Sequence, residues 1–281
     1  MACDTAFRVV ASRCLGELKA GRAATCKGDS RALHQMRIAL TRLRTATAFF
    51  SPMVADAEWK RLKRELKWLN AKLGATRDLD VAIDRLKTLS KVRPAIAQAR
   101  FWNEKRADSY RELARALRSA RYRRLIESAT AWIENGSWSM QRGKRTANAR
   151  ATPIATYCLR KLTRWQKRLL KRGRRLPDMG TRKRHRLRIL NKKLRYSMEF
   201  FQDLLADSRA ARKKSALEHL RLAQAALGEL NDSVRTQLLA STLEQNGART
   251  KRFLTRKREK RLVRKVAAAY RKLAKSNPLR I

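Results

Sequence analysis

Leu33-His-Gln-Met-Arg-Ile-Ala-Leu-Thr-Arg-Leu-Arg44 returns 151 residues later as Arg184-His-Arg-Leu-Arg-Ile-Leu-Asn-Lys-Lys-Leu-Arg195. Each copy runs on to an aromatic pair, Phe49-Phe50 and Phe200-Phe201, and two of the chain's three histidines hold the same place in the repeat. At 100° per residue, His34, Arg37, Thr41 and Arg44 fall within about 80° of one another on a helix. Leu33, Met36, Leu40, Leu43 and Thr47 form the adjoining stripe. The second copy sets His185, Arg188, Lys192 and Arg195 beside Leu187, Leu194 and Met198. The stretch therefore reads as an amphipathic helix whose cationic row borders its core face. Charges at such a border act in a lower dielectric than on open surface and bind anions more strongly. Arginine adds two-pronged donors that match phosphate oxygens, and lysine adds point charge.

Working outward, apolar residues keep recurring at three and four: Leu62, Leu66, Leu69, Leu73, then Leu113, Leu117, Leu125, Ala129, Trp132, then Leu262, Val266, Ala269, Leu273. Period-two alternation is missing, and Gly (10) and Pro (5) are few, so the fold class is all-α. The duplication extends beyond the histidine helix. Cys14-Leu15 and Leu18 match Cys158-Leu159 and Leu162 at an offset of 144, and Leu66 to Asp78 matches Leu220 to Asp232 at an offset of 154. Three blocks in the same order predict a duplicated helical unit, folded as two small bundles related by a pseudo-two-fold axis. Gly136, Ser137, Gly143 and Pro153 interrupt the pattern. The expected division is a first bundle over 5–140, a linker over 141–152 and a second bundle over 153–278.

The chain carries 70 Lys and Arg against 23 Asp and Glu, a net charge of +47. Self-repulsion on that scale calls for a polyanionic partner. The excess is uneven: residues 1–140 hold 29 basic and 14 acidic side chains, and residues 141–281 hold 41 and 9. A disordered basic tail is a poor description of a chain that is 43% hydrophobic with periodic apolar residues. The four cysteines (Cys3, Cys14, Cys26, Cys158) show no zinc-like spacing, and Cys14 and Cys158 fall on apolar stripes as free buried thiols. Neither a signal peptide nor a membrane-spanning run is visible, which gives a cytoplasmic expectation.

The second repeated block places Lys63, Lys67 and Asn70 on one side of a helix, with Arg77 just beyond Gly74; its partner offers Lys214, Arg221, Gln224 and Asn231. Asp78 and Asp232 share a repeat position, where each either orients a nearby Arg or caps the following helix. Asp78-Leu-Asp80 superficially matches the paired aspartates of some phosphatases, but no apolar strand precedes it. The histidines either make an interhelical hydrogen bond or donate to an anion, gaining charge as pH falls; their duplication beside the same Arg favours the anion. The most basic segments are 167–175, with six Lys or Arg in nine residues, and 249–265, with ten in seventeen. Either could attract any polyanion, including nucleic acid or an anionic membrane surface. Most tryptophans (Trp68, Trp132, Trp165) lie on apolar stripes, and Trp138 is expected to be exposed.

The paired His-x-x-Arg helices, each followed by two aromatics, resemble the conserved histidine α-helical domain (CHAD) family. So do Leu-Gly-x-x-Arg-Asp-Leu-Asp-Val at 73–81 and Leu-Gly-x-Leu-Asn-Asp at 227–232. The resemblance spans about residues 5–275. It implies two helical bundles about a basic central groove or pore, inorganic polyphosphate as ligand, and association with polyphosphate granules. Carried onto this chain, the implied contacts are His34, Arg37, Arg42, Arg44, His185, Arg188, Lys192, Lys193 and Arg195. Lys63, Lys67, Arg77, Lys214 and Arg221 of the second block complete the candidate set. Thr41 stands where the second copy has Lys192, so the first half is expected to grip less strongly. Relatives are often fused to a triphosphate tunnel enzyme, whose Glu-x-Glu-x-Lys signature does not occur here.

The leading expectation is thus a non-enzymatic polyphosphate-binding module with no cofactor or metal. A nucleic-acid-binding architectural protein is the alternative; it would need base-stacking aromatics or a recognition helix, and neither is evident. An enzyme is least supported, lacking a metal-ligand motif or a Gly-rich phosphate loop.

Overall fold

The protein is seen in a computed structural model that describes residues 1–89, 96–141, 143–201, 210–244 and 255–276. Helices dominate and no strand occurs among the described residues, so the fold is all-α. The chain divides into two compact units, Met1–Pro153 and Ile154–Ile281. The first holds α1 (Cys3–Ala20), α2 (Arg22–Cys26), α3 (Ser30–Phe49), α4 (Ser51–Val54), α5 (Ala57–Leu89), α6 (Ile96–Arg118), α7 (Ala120–Asn135) and α8 (Lys144–Ala151). The second holds α9 (Ile154–Gly173), α10 (Thr181–Phe200), α11 (Ala210–Glu244) and α12 (Arg256–Ser276).

The two histidine stretches are α3 and α10. Asp29 starts α3: its Oδ1 accepts from the Arg31 and Ala32 amides at 2.7 and 3.1 Å, supplying partners for two N–H groups the helix leaves open. Leu33, Met36, Leu40 and Leu43 are buried where α3 packs on α1 and α5. On α10, Leu187, Leu190, Leu194 and Met198 are buried against α9 and α11 in the same manner. Asn191 is fully buried there, donating to the Leu220 carbonyl at 3.0 Å and accepting from the Tyr270 hydroxyl at 3.2 Å. It ties α10 to both α11 and α12. Gly173 lets α9 close on α12, since a Cβ there would stand 2.5 Å from the Tyr270 ring.

The core of the first unit is aromatic. The Phe7 ring meets Phe50 at 5.6 Å, Trp132 at 5.6 Å and Trp138 at 5.1 Å, all edge to face. Each such ring contributes about 2–3 kcal/mol through burial, plus a smaller increment from ring geometry. Cys14 and Cys158 are buried free thiols, as their stripes predicted. Burial pushes the Cys14 thiol up to about 12, against the opposing pull of Arg42.

Two sequence expectations need correction. Trp138, expected to be exposed, is fully buried in a 3-10 turn, Ser137–Met140. The stretch 141–152, read as a linker, contains α8, which packs on α1 and α4 inside the first unit. The reason is a polar hub at Asp56. Its carboxylate accepts from Trp132 Nε1 (3.1 Å), Ser137 Oγ (2.9 Å) and the Trp138 amide (3.1 Å), and it also caps α5 through the Trp59 amide (2.6 Å). Arg150 of α8 then donates to the Trp138 and Gln141 carbonyls at 2.9 and 2.6 Å. Gly136 permits the turn, because a Cβ there would lie 2.4 Å from the Trp132 carbonyl oxygen. Gly and Ser at 136–137 thus mark a tight return to the core.

Candidate functional site

Each unit carries a seam between two antiparallel helices, α3 with α5 and α10 with α11. In the first seam the Arg37 guanidinium reaches across to α5. Its Nη1 donates to the Leu73 and Gly74 carbonyls at 3.3 and 3.1 Å and stands 3.8 Å from Asp78 Oδ1. In the second, Arg188 Nη2 stands 3.9 Å from Asp232 Oδ1. Side-chain exposure of these four groups runs from 20 to 31%, so each pair is half-buried at the mouth of its seam. Of the two roles weighed for the aspartates, orienting an Arg fits. Capping does not, because Asp78 and Asp232 lie inside α5 and α11, and α5 runs unbroken through Gly74.

The histidines differ in environment. His34 is exposed, whereas His185 is half-buried with Nδ1 2.8 Å from Asn231 Oδ1. The Asn231 amide group donates in turn to Asp232 Oδ1 at 3.4 Å, which fixes its carbonyl oxygen toward the histidine. That oxygen only accepts, so Nδ1 carries a proton and Nε2 presents the ring's other edge. Asn231 occupies the repeat position of Arg77, so the first seam has a cation where the second has an amide. Arg77 is half-buried and lies 3.9 Å from Asp80 Oδ2.

Further along the second seam, Arg195 donates to Gln224 Oε1 at 2.8 Å and to Glu199 Oε1 at 2.6 Å, and Arg221 reaches the same carboxylate at 3.3 Å. Lys192 is half-buried on the same row, and Lys214 is exposed on α11. In the first unit, Arg44, Lys63 and Lys67 are exposed on α3 and α5. Arg42 stands apart from the row. It pairs with Glu17 of α1, Nη1 lying 3.3 and 3.2 Å from the two carboxylate oxygens. Lys193 holds the same repeat position as Arg42, about 140° around the helix from Arg188. The row proper is therefore His34, Arg37 and Arg44 on α3, and His185, Arg188, Lys192 and Arg195 on α10.

Residues that the sequence reading did not single out hold these cations: Glu17, Glu199 and Glu259, the last paired with Arg184. Only the i,i+4 spacing of Arg195 and Glu199 was visible in one dimension. The phosphatase-like Asp78-Leu-Asp80 resolves into two unrelated contacts. Asp78 faces Arg37 of α3, while the buried Asp80 accepts from Arg106 Nε and the Tyr110 hydroxyl of α6, both at 2.8 Å. No group of three or more His, Cys, Asp or Glu placed to hold a metal occurs among the described residues. Chemically the seams offer fixed N–H donors and positive charge in a half-buried setting, which suits multivalent anion binding.

Residues 9–241 match the family profile of the CHAD domain. Among solved structures, the chain is similar to the crystal structure of the CHAD domain from the plant Ricinus communis, with 25% identity and a TM-score of 0.77 over 96% of this chain and 92% of that one. It is also similar in fold to PptA from Streptomyces chartreusis, with 17% identity and a TM-score of 0.62 over 99% and 97%. No curated protein matches the sequence. A family profile covering most of the chain, with duplicated His-x-x-Arg helices in its two units, makes this protein a member of the CHAD domain family.

Proposed function

We propose that the two matched seams bind inorganic polyphosphate without turning it over, and that this binding brings the protein to polyphosphate granules. The observation that carries the reading is the repeated half-buried Arg–Asp pair, at 3.8 and 3.9 Å, set in a row of further cations on each unit. Membership of a family in which some proteins bind polyphosphate supports it. A phosphate chain offers charge at every unit and no bases, so guanidinium and ammonium donors suffice to hold it. The aromatics lean the same way. Trp132 and Trp138 are buried, Trp59 stacks on Trp132 at 5.1 Å, and Trp68 is covered by Arg121 at 4.4 Å, leaving these rings unsuited to base stacking.

Competition at equal phosphate concentration tests the assignment. Linear polyphosphate is expected to displace labelled single- or double-stranded DNA, with a log affinity that falls linearly in log salt. Displacement of polyphosphate by short DNA would overturn it. Sustained phosphate release from long chains, with or without divalent metal, would overturn the binding-only part.

A further inference from the structure

We propose that the outward face of α12 is a second polyphosphate-binding surface, so that one protein molecule bridges two phosphate chains. This rests on the polyphosphate reading of the seams and adds a site that they do not include.

Helix α12 contains ten Lys or Arg and a single acidic residue, Glu259. Its apolar stripe (Leu262, Val266, Ala269, Tyr270, Leu273) is buried, and α11 is its main packing partner. On the helical wheel Lys257, Lys260, Arg261 and Arg264 share an arc of about 100° centred opposite that stripe. All four are exposed. The nearby carboxylates are already engaged on the packing side, Glu259 by Arg184 and Glu229 by Arg258. Together with Thr255 and Arg258, these four basic residues line a shallow depression of about 460 Å³.

Like charges at i,i+3 and i,i+4 cost a helix a few tenths of a kcal/mol per pair. Lys257–Lys260, Lys257–Arg261, Lys260–Arg264 and Arg261–Arg264 are four such pairs on one face, a repulsion that a bound polyanion relieves. The nature of the polyanion follows from what accompanies the charge. A membrane-surface helix needs an apolar face to lay into the acyl boundary, and that of α12 is occupied by packing. A single-stranded nucleic-acid platform needs aromatic rings, and the one aromatic of α12, Tyr270, is buried and bonded to Asn191. Cations alone remain, which fits a chain made of phosphate alone. On the wheel the four cations lie opposite the stripe that packs on α11, while Arg188 and Arg195 contact Asp232 and Gln224 of α11. A chain on one surface therefore leaves the other open.

The experiment uses the full chain, a K257Q/K260Q/R261Q/R264Q variant and a K67Q/K192Q seam variant. Short linear polyphosphate is titrated calorimetrically, and long-chain polyphosphate is followed by light scattering. Wild type is expected to show a weaker binding step in addition to binding at its seams. The α12 variant is expected to take one short chain fewer than wild type, with seam affinity within about twofold of wild type, a salt slope lower by about 3, and scattering with long chains reduced about tenfold. The seam variant should weaken the tighter step only. An α12 variant that takes as many chains as wild type overturns the second surface while leaving the seams in place. Duplex DNA that displaces only the weaker-bound chain would assign the face to nucleic acid and overturn it too. A wild type that binds no polyphosphate would sink the proposed function along with this inference.

Discussion

The Arg37 guanidinium lies 3.8 Å from the Asp78 carboxylate across the α3–α5 seam, while the same Nη1 donates to two carbonyls of α5, Leu73 and Gly74. The aspartate is thus one of the groups that aim this cation, and its full negative charge repels an incoming phosphate. At this exposure an ion pair contributes on the order of 1 kcal/mol or less to stability.

Asp78→Asn is therefore expected to keep the guanidinium in place, remove the repulsion and tighten polyphosphate binding about threefold, with stability changed by less than about 1 kcal/mol. Titration with short polyphosphate and urea unfolding measure the two effects. Weaker binding at unchanged stability would show that the carboxylate does most of the aiming. Arg37→Glu is a poor probe of binding, since it sets a second carboxylate beside Asp78 and abandons the α5 carbonyls, so lost affinity would come with lost stability.

Asp56→Ala should be among the most damaging single changes in the first unit. It removes the acceptor for Trp132 Nε1, Ser137 Oγ and the Trp138 amide, and the cap of α5. Leaving buried donors without a partner costs about 1–3 kcal/mol each and losing a cap about 1 kcal/mol. A net loss of about 4 kcal/mol, read from chemical denaturation, is the expectation. A loss below about 1 kcal/mol would mean that water replaces the carboxylate and that the turn at 137–140 does not depend on it.

The alkaline limb of stability reports on Cys14. Its thiol ionises near its ordinary value of 9.0 in the unfolded chain but at about 12 in the folded protein, because burial disfavours the thiolate. Above pH 9 the unfolded state has lost a proton that the folded state keeps, so stability falls as pH rises. The contribution is complete below about pH 9 and gone by about pH 12, on the order of 4 kcal/mol. Burial raises Tyr122 to about 12 as well, and it adds to the same slope. Deprotonating lysines relieve self-repulsion over that range and work the other way. The comparison of wild type with Cys14→Ala isolates the thiol: the variant's urea midpoint should decline less steeply between pH 9 and 12. Parallel declines would show that the thiol is not protected.

Much of this arrangement could be read from periodicity. The helical fold and the placement of Arg37, His185 and Arg188 at a core border follow from spacing on a single helix, whereas His34 lies exposed and spacing left open whether Asp78 and Asp232 orient an Arg or cap a helix. What stayed hidden depends on partners far along the chain. Arg42 sits on the side of α3 that meets α1, where Glu17 takes it, and a wheel of α3 cannot show which neighbour lies on which side. Trp138 is buried through Asp56, 82 residues away, so Gly136 and Ser137 looked like loop punctuation. Gly74 does not interrupt α5, because packing against α3, α6 and α7 carries the helix through a residue whose intrinsic cost there is only about 1 kcal/mol. The basic stretch at 249–265 was legible as charge, and only its described part, α12, shows which cations point outward.

The last test concerns the inequality of the two seams. Thr41 holds the position of Lys192, and its hydroxyl donates back to the Arg37 carbonyl at 2.8 Å, so it offers the row no charge. Thr41 is half-buried at the edge of the α3 stripe, where a lysine stem can lie along apolar surface and carry its ammonium to water. Thr41→Lys is therefore expected to fold normally, to tighten polyphosphate binding about threefold and to steepen the salt dependence by about 0.7, the increment of one further phosphate contact. Lys192→Thr should do the reverse in the second seam, and the double exchange should restore the wild-type slope. If Thr41→Lys raised affinity no more than a lysine introduced at the exposed residue Gln35, the gain would come from net charge, and the row on α3 would lose its claim to hold the ligand.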